Sequence, residues 1–166
     1  AKDEIRVEMV CLGNICRSPM AAAVLHNKVQ EMVNPRVIVS SSGTSNYHIG
    51  EGAHKSSVRT WEDAGYKYEH SAKQFSKKSY EVQDLILCMD LSNRAMVLTA
   101  AESDEDRAKV FLLRQFDPEL SAIDPTSREA QSLVVPDPWG SGIDAFEEVL
   151  AMIERATDGL IAQISK

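Results

Sequence analysis

The stretch Val10-Cys11-Leu12-Gly13-Asn14-Ile15-Cys16-Arg17-Ser18-Pro19 constrains this chain more than any other. A short apolar run (Ile5, Val7, Met9, Val10) leads into it, and an amphipathic run follows it. The pattern predicts a strand, a tight loop and a helix start, with Cys11 and Arg17 at the ends of a C-x5-R-S spacing. A loop that short can curl so that its backbone N–H groups converge on an anion. The helix behind it adds unpaired N–H groups and the positive end of its dipole, and Pro19 suits its first turn. Those terms favour Cys11 as a thiolate, the reactive form of cysteine. Arg17 brings a planar fork that can hold two oxygens of a tetrahedral oxyanion. Leu12, Gly13, Asn14, Ile15, Cys16 and Ser18 complete the cradle, with Gly13 and Asn14 expected at positive φ. A nucleophile beneath a phosphate cradle, beside a guanidinium clamp, is equipment for phosphoryl transfer through a phosphocysteine.

The rest of the chain supplies a frame for that loop. Residues 5–10 predict the first strand, and the helical spacing of Ala21, Val24, Leu25, Val29 and Met32 predicts a helix from Pro19 to about Met32. Asn34-Pro35 ends it. Further strands are expected at 36–39, 84–89 and 110–113, the one at 84–89 a continuous apolar run suited to a sheet covered on both faces. Helices are expected at 54–64, 90–100 and 143–164, the last with Ile143, Phe146, Val149, Leu150, Ile153, Leu160 and Ile164 on one stripe. The stretch 101–109 reads as an acidic solvated turn, and 117–135 as loop with room for a short helical turn. Strands alternating with helices predict one α/β domain over residues 1–166. It has a central four-stranded parallel sheet, helices on both faces and right-handed crossovers. In such a sheet the ligand crevice opens at the carboxyl ends of the strands, where Cys11 stands.

Bulk properties narrow the partners. Among 166 residues the net charge is −7, which speaks against nucleic acid, because affinity there rests on neutralising phosphates. The charged start Ala1-Lys2-Asp3-Glu4 and the lack of an 18-residue apolar run speak against a membrane span or a secretory leader. Three cysteines are too few for a disulfide scaffold, and a reducing cytoplasm suits a catalytic thiolate. Cys11 and Cys16 are spaced C-x4-C, and His26, His48, His54 and His70 are scattered, so no metal site is expected. A monomer is the expectation.

At the level of motifs the sequence resembles the low-molecular-weight protein tyrosine phosphatases. The resemblance begins in Val10-Cys11-Leu12-Gly13-Asn14-Ile15-Cys16-Arg17-Ser18-Pro19-Met20-Ala21. It continues through Ser41-Ser42-Gly43-Thr44, His70-Ser71-Ala72-Lys73-Gln74 and Leu87-Cys88-Met89-Asp90, and ends in Pro136-Asp137-Pro138-Trp139-Gly140. These blocks keep the family's order over nearly the whole chain. The resemblance implies a phosphotyrosine protein phosphatase I-like fold, no cofactor and a phosphotyrosine-containing protein as partner. It implies Cys11 as nucleophile, Arg17 as phosphate clamp and Asp137 as general acid, then base. Taken alone, Pro136-Asp137-Pro138 reads as a turn whose prolines would hold a carboxylate's aim steady. The resemblance also implies that Asn14, Ser41 and His70 brace the loop, and that Tyr47 and Trp139 wall the pocket mouth. It further implies a reversible Cys11–Cys16 disulfide, although Cys16 also reads as a small buried hydrophobe. Ser18 has two readings, a cap for the helix before Pro19 or a hydroxyl on the Cys11 sulfur. Cys88 reads as core, and Asp90 and Asn93 as capping and loop-support groups.

The chain departs from the family at one place. Many members carry Asp-Pro-Tyr-Tyr where this chain has Asp137-Pro138-Trp139-Gly140, so regulation through those tyrosines is not expected. Asp-Pro-aromatic-Gly also resembles the members that dephosphorylate arginine, which carry a threonine where this chain has Ile15. An arsenate reductase built on the same loop would need two further relay cysteines, and none follows Cys88. A phosphate-binding module without turnover would not need Cys11, Arg17 and Asp137 together.

Overall fold

Four strands pair in the order β2-β1-β3-β4, all parallel, in a computed structural model that describes residues 3–165. They are β1 (Glu4–Cys11), β2 (Arg36–Gly43), β3 (Leu85–Cys88) and β4 (Val110–Leu112). The helices are α1 (Arg17–Lys28), α2 (Lys55–Asp63), α3 (Ser79–Val82), α4 (Leu91–Thr99), α5 (Asp104–Arg107) and α6 (Ile143–Ile164). Side-chain alternation along β1 divides the core into two layers. Val7, Met9 and Cys11 face a large cluster with α1, α2 and α6. Val10 instead joins Ile86, Cys88 and Leu112 against Tyr80 of α3 and Val97 of α4. Each fully buried aliphatic side chain contributes roughly 1.5–3 kcal/mol to holding these layers. From β1 the chain crosses to β2 on one side, while β3 and β4 lie on the other. The loops after β1 and β3 therefore diverge and open a crevice at the sheet's carboxyl edge.

Several element limits differ from those expected, each for a local reason. α1 stops at Lys28, because beyond it only Val29 stays buried through Asn34. β2 runs on through Ser40, Ser41 and Ser42 to Gly43, because β1 offers partners for them in register (Glu8↔Ser40 to Cys11↔Gly43). β4 ends at Leu112, whose N–H donates to the Gln115 side chain as a 3₁₀ turn (Leu113–Phe116) begins. The acidic stretch 101–109 holds α5, capped by Ser103. The short α3 was not foreseeable from spacing, and 3₁₀ turns at Pro118–Leu120 and Arg128–Leu133 break up the loop before Asp137. Asp90 caps α4 by accepting from Asn93 N at 2.8 Å. Among the described residues no helix is long and apolar enough to cross a membrane.

Candidate active site

The loop between β1 and α1 curls because its carbonyls are drawn outward. Thr44 N donates to the Cys11 carbonyl, Ser45 N to that of Leu12 and His54 N to that of Ile15. Ser57 Oγ donates to the Cys16 carbonyl at 2.8 Å, and His70 Nε2 to the Asn14 carbonyl at 2.6 Å. In a planar trans peptide the C=O and N–H point in opposite directions. The amides of Leu12, Gly13, Ile15, Cys16 and Arg17 are thereby turned toward the loop's interior, the arrangement of an anion nest. Gly43 makes the fit possible, since a Cβ there would lie 2.6 Å from the Leu12 carbonyl oxygen.

Asn14 is the hub of this loop. Its φ of 58° is left-handed, a conformation asparagine tolerates better than other non-glycine residues. Its side chain donates to Ser18 Oγ at 2.8 Å and Ser41 Oγ at 3.0 Å, and accepts from Lys73 N at 3.0 Å. Gly13, expected to share the positive φ, does not; its lack of a Cβ instead admits the His48 ring, 3.0 Å from where that carbon would be. His70 is held below the usual imidazole range, by burial first and by Lys73 after, with its bond to Asn14 opposing. It is therefore neutral near neutral pH, and because the Asn14 carbonyl can only accept, the proton sits on Nε2.

Cys11 Sγ lies 3.0 Å from Ser18 Oγ and accepts from Asn14 N at 3.3 Å. Ser18 does not cap α1: the helix begins one residue earlier, Cys16 is its N-cap, and the serine hydroxyl is spent on Cys11, Asn14 and the Ser42 carbonyl. Arg17 is buried, and its Nη1 donates to Asp90 Oδ2 at 2.7 Å and to the Val135 carbonyl at 3.0 Å. Both of those bonds use Nη1, which leaves the Nε–Nη2 edge of the fork for a ligand. Asp137, half-exposed, brings Oδ2 to 3.8 Å from Arg17 Nη2 and accepts from Trp139 N at 3.0 Å. A thiol, a guanidinium edge, a ring of amides and a carboxyl thus converge on one crevice.

The low molecular weight phosphotyrosine protein phosphatase family model matches residues 6–166. The chain belongs to this family. Over 160 residues it is 39% identical to a low molecular weight protein-tyrosine-phosphatase of Streptomyces coelicolor, covering 96% of this chain and 93% of that one. A crystal structure of protein tyrosine phosphatase from Entamoeba histolytica superposes with a TM-score of 0.84 at 28% identity, covering 97% of both chains. The YwlE arginine phosphatase from Geobacillus stearothermophilus superposes with a TM-score of 0.80, also at 28% identity, over 97% of this chain and 93% of that one.

In this phosphatase the crevice is a pocket of about 160 Å³. Its floor is Cys11, Gly13, Cys16 and Arg17, and its walls are Leu12, Ile15, Tyr47, His48, Asp137 and Trp139. Asn14 and Ser18 stand behind the floor rather than on it, and Ser41 and His70 stand behind Asn14. Tyr47 and Trp139 are 72% and 64% exposed and form the rim. Burial pushes the Cys16 thiol up to about 12, with Cys11 and Asp137 adding to the shift and Arg17 opposing it. Cys16 is thus a protonated thiol within the floor. Sequence reasoning missed His48, paired with Glu51 at 3.0 Å, because a lone histidine carries no periodic or motif signal.

Proposed function

We propose that this enzyme hydrolyses phosphotyrosine in proteins, with Cys11 as nucleophile, Arg17 as phosphate clamp and Asp137 as general acid and base. The observation that carries the reading is one pocket lined by the Cys11 sulfur, its loop of inward amides, the Arg17 guanidinium and Asp137, whose carboxyl lies 3.8 Å from Arg17. The Cys11 thiolate attacks phosphorus, an S–P bond forms and the P–O bond to the tyrosyl ring breaks. Asp137 gives its proton to the departing oxygen. Water then attacks the phosphocysteine, Asp137 takes its proton, and the S–P bond breaks to release inorganic phosphate. Ser18 donates to the returning thiolate. The amides and Arg17 hold the equatorial oxygens throughout, where charge gathers in the transition state. Such chemistry suits a reducing cytoplasm.

The pocket walls favour the aryl ester. Ile15, Tyr47 and Trp139 make a tall apolar slot in which a ring stacks while its ester oxygen reaches Asp137. Phosphoserine has no ring to fill it. A phosphoarginine guanidinium needs polar partners, and Asp137 is the one carboxylate among the lining residues described. Matched phosphotyrosine, phosphoarginine and phosphoserine peptides test this through kcat/KM, with Ile15→Thr beside the wild type. Phosphotyrosine should lead, phosphoserine should trail, and Ile15→Thr should narrow the gap to phosphoarginine. A wild-type preference for phosphoarginine, or unchanged selectivity in Ile15→Thr, overturns the substrate assignment.

A further inference from the structure

We propose that Arg114 is a positioning residue for the general acid: its guanidinium clamps the root of the loop carrying Asp137 and so sets where that carboxyl points. The proposal rests on the reading of Asp137 as proton donor. Arg114 sits in the 3₁₀ turn that follows β4. Its Nη1 donates to the Val134 carbonyl at 2.9 Å and to the Ser132 carbonyl at 3.3 Å. The next residue, Val135, donates to the Met89 carbonyl at 2.7 Å and accepts from Arg17 at 3.0 Å. Pro136 then fixes one φ, and Asp137 follows. Beyond Val135 the loop's described hydrogen bonds are internal, Trp139 N to Asp137 Oδ1 and Ser141 N to the Pro138 carbonyl. Apart from its approach to Arg17 and the packing of the buried Pro138 ring, the aim of Asp137 is therefore inherited from the root.

The clamp has a firm mount. Asp117, buried just after the turn, pairs with Arg155 of α6 at 3.1 Å and accepts from Glu119 N at 2.9 Å. α6 lies directly on the turn at Gly159, where a Cβ would come 1.8 Å from the Phe116 carbonyl oxygen. Arg114 is also an expensive choice for packing alone. Its Nε is buried without a partner, and burial holds its guanidinium below the usual arginine range, with Asp117 opposing. An apolar side chain of similar length would avoid both costs. What arginine adds is the pair of bonds to Ser132 and Val134.

The test is kcat/KM over a series of aryl phosphates from phenyl to strongly acidic phenols, which isolates phosphorylation of the cysteine. Arg114→Met keeps the apolar stem and leaves Asp117 paired with Arg155. It should lower kcat/KM by about 10- to 10²-fold for phenyl phosphate but by under about threefold for the most acidic phenols. Inhibition by inorganic phosphate should not change, and Arg114→Lys should fall between. In an Asp137→Asn background Arg114→Met should cost nothing further, since the group it aims is gone. An equal loss across the series, or a loss that adds in full to that of Asp137→Asn, overturns the proposal. If Asp137→Asn steepens the leaving-group dependence and Arg114→Met does not, the acid assignment stands and the clamp falls. If Asp137→Asn leaves the dependence flat, the acid assignment itself falls and the clamp with it. Arg114→Lys, which keeps a cation against Asp117, carries the test if the methionine variant does not fold.

Discussion

The cysteine loop and the acid loop meet over one pocket but are built in opposite ways. In the first, the carbonyls of Cys11, Leu12, Asn14, Ile15 and Cys16 have outside partners, and its hub, Asn14, is fully buried. In the second, hydrogen bonds to the body of the protein are confined to the root; Pro138 is buried, but Asp137 is half-exposed and Trp139 stands in solvent. The difference follows from what each must do. Binding a tetrahedral dianion requires many donors fixed before it arrives, since reorganising them during reaction would cost what they contribute. A proton donor needs one atom aimed correctly and an opening through which a bulky protein substrate enters. Over-determination serves the first task and would obstruct the second.

The largest way to break this contrast is Cys11→Ser. Turnover of phosphotyrosine peptide should fall by about 10⁵-fold or more, because a hydroxyl there stays protonated. Phosphate affinity, measured by titration calorimetry, should hold, since the amides do not depend on sulfur. Near-wild-type turnover would end the nucleophile assignment. Next comes Asn14→Ala, which removes three side-chain bonds and leaves alanine in a left-handed conformation. It should destabilise the protein by about 2–4 kcal/mol in urea unfolding and weaken phosphate binding as well. Trp139→Ala on the acid loop is its control and should change stability by under about 0.5 kcal/mol. Equal losses from the two would show that the loops are not built differently.

The smallest effect concerns pH. Burial lowers the His70 pKa in the folded protein, so the unfolded chain binds the proton more readily. The contribution of neutral His70 is complete above the ordinary histidine value and is lost as pH falls through the lower, folded value. Between about pH 7 and pH 5 the stability of the wild type should therefore slope downward on acidification. His70→Gln, which can still donate to the Asn14 carbonyl, should flatten that slope. An unchanged slope would place the titration elsewhere.

The cysteine loop was legible because its chemistry is contiguous: nucleophile, turn residues, clamp and helix start fall within ten letters, Val10 to Pro19. The parallel four-stranded sheet followed from alternating strands and helices, though not the order of its strands. The acid loop could not be read so directly, since Pro136-Asp137-Pro138 is by itself only a turn, and the family resemblance was needed to assign it. Arg114, Asp117 and Arg155 were not legible at all, and Gly43 stood in a family block without its role being readable. Each acts on a partner distant in sequence or on a backbone carbonyl, and a carbonyl leaves no letter. The extension of β2 through three serines was hidden for a related reason, because β1 supplies the hydrogen bonds that serine's own strand preference does not.

Gly159 has a consequence for how such an enzyme would be seen to fail. The contact between α6 and the turn bearing Arg114 holds only while the helix stays within reach of Phe116. Loosening there disturbs the acid before the cysteine loop, whose braces come from Ser41, His54, Ser57, His70 and Lys73. On warming, the protein would go on trapping phosphate and cleaving activated esters after it had stopped acting on tyrosyl ones. A chromogenic assay would then record a healthy enzyme above the temperature at which its work on proteins has ended.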